Sequence, residues 1–163
     1  MHQQIATLIP DGLPSRDVSL SLWETVTRQA IATARATGAG SALLSYERAL
    51  LIARQLLVAP PPGRAEDCVA ALVVSHHNLA DLHFEYGDVD TAASHLCCAH
   101  EALLALILNS DRDISLRQAA LRHSRETHLA LISHVSTHGP HPLITRALRS
   151  GCVAFNVDSP TRH

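Results

Sequence analysis

A chain of 163 residues that is 47% hydrophobic and 17% charged has the make-up of a single globular domain, which excludes a disordered segment. The formal charge of −2, with the arginines dispersed and no lysine at all, offers nucleic acid neither net positive charge nor a basic stripe. No apolar run reaches ~18 uninterrupted residues, which argues against a membrane span.

Aromatic residues make up only 3% of the chain, so Leu, Ala, Val and Ile must fill the core. Alanine carries the best intrinsic helix propensity, whereas sheets lean on aromatic and β-branched residues. Helices are therefore favoured before any pattern is read. Cys68, Cys97, Cys98 and Cys152 form no disulfide framework for a chain of this length, and MHQQIATLIPDGLPSRD lacks the features of a signal peptide. A cytoplasmic setting is expected, and arginine without lysine alongside abundant alanine points to GC-rich codons and a bacterial source.

Residues 1–15, with Pro10, Gly12 and Pro14, read as an irregular lead-in, and residues 16–150 as a single helical domain. Asp17 or Ser19 caps a first helix in which Leu22, Val26, Ala30 and Ala34 recur at helical spacing. Thr37-Gly38-Ala39-Gly40 breaks it. Ser41 opens a second helix with Leu43, Tyr46, Leu50, Ala53 and Leu57 on one stripe. The prolines of residues 59–67 cannot continue a helix, because they remove donors and clash with the preceding turn. A third helix follows from Ala65 to Tyr86 and ends at Gly87-Asp88. The fourth runs from Asp90 to Leu108. Asp113 or Ser115 caps a fifth, with Ser115 and Gln118 spaced as a capping box, reaching about Val135. Pro142 suits the first position of a short sixth helix, and residues 151–163 read as a tail. The fold class is all-α, five long helices and a short C-terminal one in antiparallel hairpins, since short connections force antiparallel neighbours.

Two hairpins repeat at a constant offset: Ala30, Ala42, Tyr46 and Ala49 of residues 23–56 match Ala80, Ala92, Leu96 and Ala99 of residues 73–106. These spacings resemble tetratricopeptide repeats, helix-turn-helix units of about 34 residues. Leu79-Ala80 stands where that family has its Leu-Gly pair, Gly87-Asp88 falls at the turn, and Ala92 and Ala99 occupy the two small positions. The first copy departs in having Gln29 where leucine is usual, and both lack the terminal proline. The resemblance covers about half the chain. It implies a right-handed superhelix, or a related bundle, in which the fifth helix serves as a solvating cap.

Twelve histidines invite a metal reading. The sharpest row is His77, Asp81 and Glu85 on one face of the third helix, with Phe84 beside them. In the resembled family this face lines the concave groove, together with Glu24 and Arg35 of the first helix. The function expected is recognition of a protein or peptide partner by Glu24, Arg35, His77, Asp81, Phe84 and Glu85, with Phe84 as the anchor, no cofactor and no metal. The chain has no glycine-rich phosphate loop, no Gly-x-Ser-x-Gly and no His-Glu-x-x-His, so no enzyme is expected. The alternative is a metal- or small-ligand-binding bundle in which His123 or His128 faces His77, Asp81 and Glu85. A homodimer through Leu129, Ile132 and Val135 is a further possibility.

Overall fold

Ser19 accepts a hydrogen bond from the Leu22 amide at 3.0 Å, satisfying one of the donors that a helix leaves free at its start. From there the computed structural model, which describes residues 18–157, runs through six helices and contains no strand among those residues. They are α1 (Leu20–Thr37), α2 (Ala39–Val58), α3 (Ala65–Glu85), α4 (Val89–Leu108), α5 (Ile114–His138) and α6 (Pro142–Val157). The lead-in of residues 1–15 lies outside the described residues.

Several boundaries differ from the sequence expectation for identifiable reasons. The break expected over residues 37–40 contracts to Gly38, whose φ of 94° is open to glycine, and Ala39 is already helical. Asp113, not Ser115, caps α5 by accepting from the Ser115 amide at 2.8 Å. A carboxylate at that end also faces the positive pole of the helix. The tail expected from Gly151 onward is instead helix as far as Val157. Gly151 is there for proximity: a Cβ on it would stand 3.2 Å from His100 Nε2.

Each helix packs on the next; α3 also packs on α1 and α5, and α4 on α6. The odd-numbered helices thus form a row with α3 at its centre. Ala30, Ala42, Tyr46 and Ala49, and their counterparts Ala80, Ala92, Leu96 and Ala99, are all buried. Small side chains there let neighbouring helices approach closely, and larger ones would strain the packing. The main core joins α1, α2 and α3 to Leu103, Leu106 and Leu116, while a smaller cluster gathers Ala80, Leu96, Leu131 and Ile144. By length and a mean hydropathy of 1.4, α4 passes the test for a membrane span. Its packing against α3, α5 and α6 gives that apolar surface a place in the core.

Polar links fix how the rows register. Trp23 Nε1 donates to Ser75 Oγ at 2.8 Å, tying α1 to α3. The Arg112 guanidinium donates to the Leu57 carbonyl, one of those that α2 leaves free at its end. Deeper still, His100 on α4 meets Thr127 Oγ1 on α5 at 2.8 Å, and the Thr127 hydroxyl donates to the Ser124 carbonyl at 3.1 Å. The threonine proton is thereby committed, so His100 Nδ1–H must be the donor. Thr127→Val keeps the shape and strands that N–H in a buried site. A loss of about 1–3 kcal/mol is expected by urea denaturation, and a change within experimental error would mean that the site is hydrated.

Candidate functional site

His76 and His77 are neighbours on α3 and so face different ways. His76 turns into the core and is 2% exposed; its Nδ1 lies 3.2 Å from His95 Nδ1 on α4. His95 stacks in turn on His83 with ring centroids 5.6 Å apart. Burial pushes His76 down to about 3, and the nearby His95, Arg54 and His77 act in the same direction. Burial lowers His95 as well, so His76 and His95 serve as neutral packing groups.

His77 turns instead towards α5. With Asp81 and Phe84 it forms one wall of a cleft of about 310 Å³, completed by Leu96 and by Ala130, Ser133, His134, Thr137 and His138. Spacings of four and seven along α3 keep His77, Asp81 and Phe84 on one face, and His134 and His138 are likewise one turn apart on α5. Phe84 packs against both, and the two histidine rings also meet each other, with centroids 4.9 Å apart. The Phe84 ring stacks on His138 at 4.9 Å and an interplanar angle of 9°, and on His134 at 5.1 Å. Phe84 is therefore part of a wall, and does not project as a free anchor.

The polar groups of this cleft lack partners. His77 Nε2 and His134 Nδ1 are both buried without a hydrogen bond, and His134 is only 5% exposed overall. Burial lowers the pKa of both rings; His138 and His141 lower His134 further, while Glu126 and Asp81 partly offset the effect on His77. Asp81 is raised by burial first and by Glu85 next, against the opposing pull of His77, and no hydrogen bond relieves its carboxylate. Its side chain is nevertheless exposed, so water solvates the carboxylate and a ligand's donor must replace that hydration.

Asp81 also borders a second depression, of about 180 Å³, lined by Ala34, Ala39, Tyr46, Asn78, Leu82 and Glu85. The Tyr46 phenol there is raised by burial and by Glu85, with Arg35 acting against them. The two clefts share Asp81 and form one polar face along α3.

Of the residues expected from sequence, His77, Asp81 and Phe84 line the first cleft, Glu85 lines the second, and Arg35 lies within electrostatic reach of it. Glu24 is exposed near the other end of α1 and lines neither cleft; its charge acts on Arg64 at the start of α3. The sequence reading missed Tyr46 as a site residue, together with Ser133, His134, Thr137 and His138. The last two histidines carried a legible signal in their spacing of four residues.

The partners considered for a metal site are elsewhere. His123 Nε2 sits 2.9 Å from Glu66, in an ion-pair network with Arg122, and His128 packs towards His100 with ring centroids 5.9 Å apart. Among the described residues, no three or more His, Cys, Asp or Glu side chains converge as a metal would require. Cys97 is buried and pushed up to about 12, by burial first and Glu101 next, which keeps it a thiol near neutral pH.

On the far side, α5 and α6 enclose an open cleft of about 590 Å³ lined by Leu121, Ser124, Arg125, His128, Leu148, Gly151 and Cys152. Leu129 and Ile132, considered above for a dimer, are 65% and 42% exposed, whereas Val135 packs into the smaller core cluster.

The model of a family described as "Protein of unknown function (DUF2753)" matches residues 21–163. No curated protein and no solved structure matches the chain.

Proposed function

The chain belongs to the DUF2753 family, whose description assigns no activity, and from that starting point we propose that it is a non-enzymatic protein-binding module. The partner would lie along the polar face of α3. The observation that carries this reading is Asp81, an exposed carboxylate without a hydrogen bond to the protein, placed where two clefts meet. A structural carboxylate is ordinarily paired; an unpaired one on an open face suits an incoming donor.

Rigidity supports the same reading. The face is carried on helices anchored by two core clusters, so little ordering entropy is lost when a partner docks. The tetratricopeptide resemblance agrees with it as well, because the concave groove of that family is lined by the helix that corresponds to α3. The glutamate–aspartate row and the adjoining Arg35 make charge pattern the selective element.

The test is affinity capture from source-organism lysate, comparing wild type with Glu85→Arg by mass spectrometry. Glu85 is exposed, so the variant should keep its far-UV circular dichroism and thermal midpoint. A protein held by wild type and reduced at least about tenfold by the variant is the expected result. Identical capture by both, or none by either, would remove the α3 face as a binding surface.

A further inference from the structure

We infer that the cleft between α3 and α5 receives an arginine side chain of the bound partner, its guanidinium meeting Asp81 and the paired rings of Phe84 and His138. The inference rests on the protein-binding reading above and specifies what that partner must present.

The cleft brings a carboxylate and two unpartnered imidazole nitrogens together beside the hydroxyls of Ser133 and Thr137. Asp81 supplies an unbonded carboxylate, His77 an unpartnered Nε2 and His134 an unpartnered Nδ1 in a ring that is 5% exposed. A neutral imidazole accepts at one nitrogen when its proton sits on the other, so either ring can meet a donor at its unpartnered nitrogen through the matching tautomer. Burial holds both rings in that neutral form. Orphaned acceptors at separate points are best matched by a ligand with several donors held apart. Guanidinium carries five N–H donors in a fixed plane.

The aromatic wall points to the same group. Phe84 and His138 stack on each other, almost parallel at 9°, so the pair meets the cleft with its edges and outer surfaces. Guanidinium is planar, weakly hydrated and stacks on aromatic faces, whereas a lysine ammonium is compact, strongly hydrated and gives up its water reluctantly. Glu85 beside Asp81, and Glu126 within reach of His77, add negative potential and disfavour an acidic side chain. A cleft of about 310 Å³ lies at the lower end of the ligand-pocket range of ~300–1,000 Å³, room for one side chain and not a folded segment.

The charged and titratable groups facing the cleft set its pH dependence. Asp81 faces His77 on α3, Glu126 faces it from α5, and His134 has His138 and His141 beside it. Protonating the imidazoles turns acceptors into donors and adds positive charge, so acid should weaken the interaction.

The experiment is a nuclear magnetic resonance titration of the labelled whole chain with N-acetyl-arginine amide and, separately, N-acetyl-lysine amide. At about pH 7.5, where the lowered imidazoles of His77 and His134 are neutral, the arginine probe should produce saturable shifts at His77, His134 and Thr137. The lysine probe should bind at least about tenfold more weakly, and Asp81→Asn should weaken the arginine probe by a similar factor. Asp81 makes no hydrogen bond, so Asp81→Asn should stay folded, and His138→Ala offers a second variant that strips one ring from the wall. Equal response to both probes, or arginine shifts confined to other surfaces up to the solubility limit, would overturn the inference. Loss of partner capture by Glu85→Arg without any arginine response would leave the binding module standing and remove the arginine from it.

Discussion

Acidification from about pH 7 to about pH 5 is expected to cost this protein about 2 kcal/mol or more, through its buried histidines. His76 dominates the effect. Its ordinary value of 6.5 falls to about 3 in the fold, so below 6.5 the unfolded chain takes up a proton that the folded chain refuses. Stability from a neutral buried imidazole is therefore complete above the unfolded value. It declines by about 1.4 kcal/mol for each pH unit below that, until the folded value is reached. At about pH 5 His76 alone accounts for about 2 kcal/mol, a large share of the 5–15 kcal/mol typical of a domain.

His77, His95, His100 and His134 shift the same way through burial, and add to the slope. Nothing around His76 compensates, because the groups named beside it, His95, Arg54 and His77, are bases. Glu66, Asp88 and Asp113 are lowered by their hydrogen bonds, so their contribution disappears only at still lower pH. Urea unfolding followed by circular dichroism at several pH values checks this. His76→Asn, which keeps a hydrogen-bonding group towards His95, should reduce the slope by about one proton. A midpoint that stays level between neutrality and about pH 5 would show that the folded protein accepts these protons freely.

Leu79→Ala is the second large effect, with an expected loss of about 2–5 kcal/mol. Leu79 is 0% exposed within the main core, so truncation leaves a cavity that the surrounding helices close only in part. The informative control is the equivalent position in the first hairpin. Gln29 is exposed, and no helix among the described residues precedes α1 to cover it. Gln29→Leu should change stability by no more than about 0.5 kcal/mol. Equal effects at the two positions, by urea midpoint at a constant m-value, would show that the two sites are equivalent environments, against the contrast in their burial.

The contrast between Gln29 and Leu79 also shows what the sequence could reveal. The start of α1 was legible at its Ser19 cap and that of α6 at Pro142, whereas Asp88, which caps α4, was legible only as the end of the preceding helix. The alanines of both hairpins were legible as close contacts. The α3 half of the candidate site followed from spacing alone, since His77, Asp81 and Phe84 share a helix. The α5 half did not. Choosing His134 and His138 over His123 and His128 requires knowing how α5 slides along α3. Ten residues of helix correspond to about 15 Å, and each residue of error turns the face by about 100°. Only the packed core supplies that register. Gly151 misled for a related reason: in one sequence a glycine that ends a helix and one that admits a neighbouring ring look the same.

The joint at Gly38 limits how this chain can vary in length. One residue outside the helices separates α1 from α2, so the hairpin has no slack to absorb an insertion. A residue added there would either enter a helix, rotating its buried stripe by about 100°, or force the hairpin open. The exposed proline-rich stretch between α2 and α3 is the opposite case. Doubling a flexible loop costs only about 0.6 kcal/mol in closure entropy. Insertions, affinity tags or new chain ends are therefore best placed around residues 61–63, where they leave every helix phase intact.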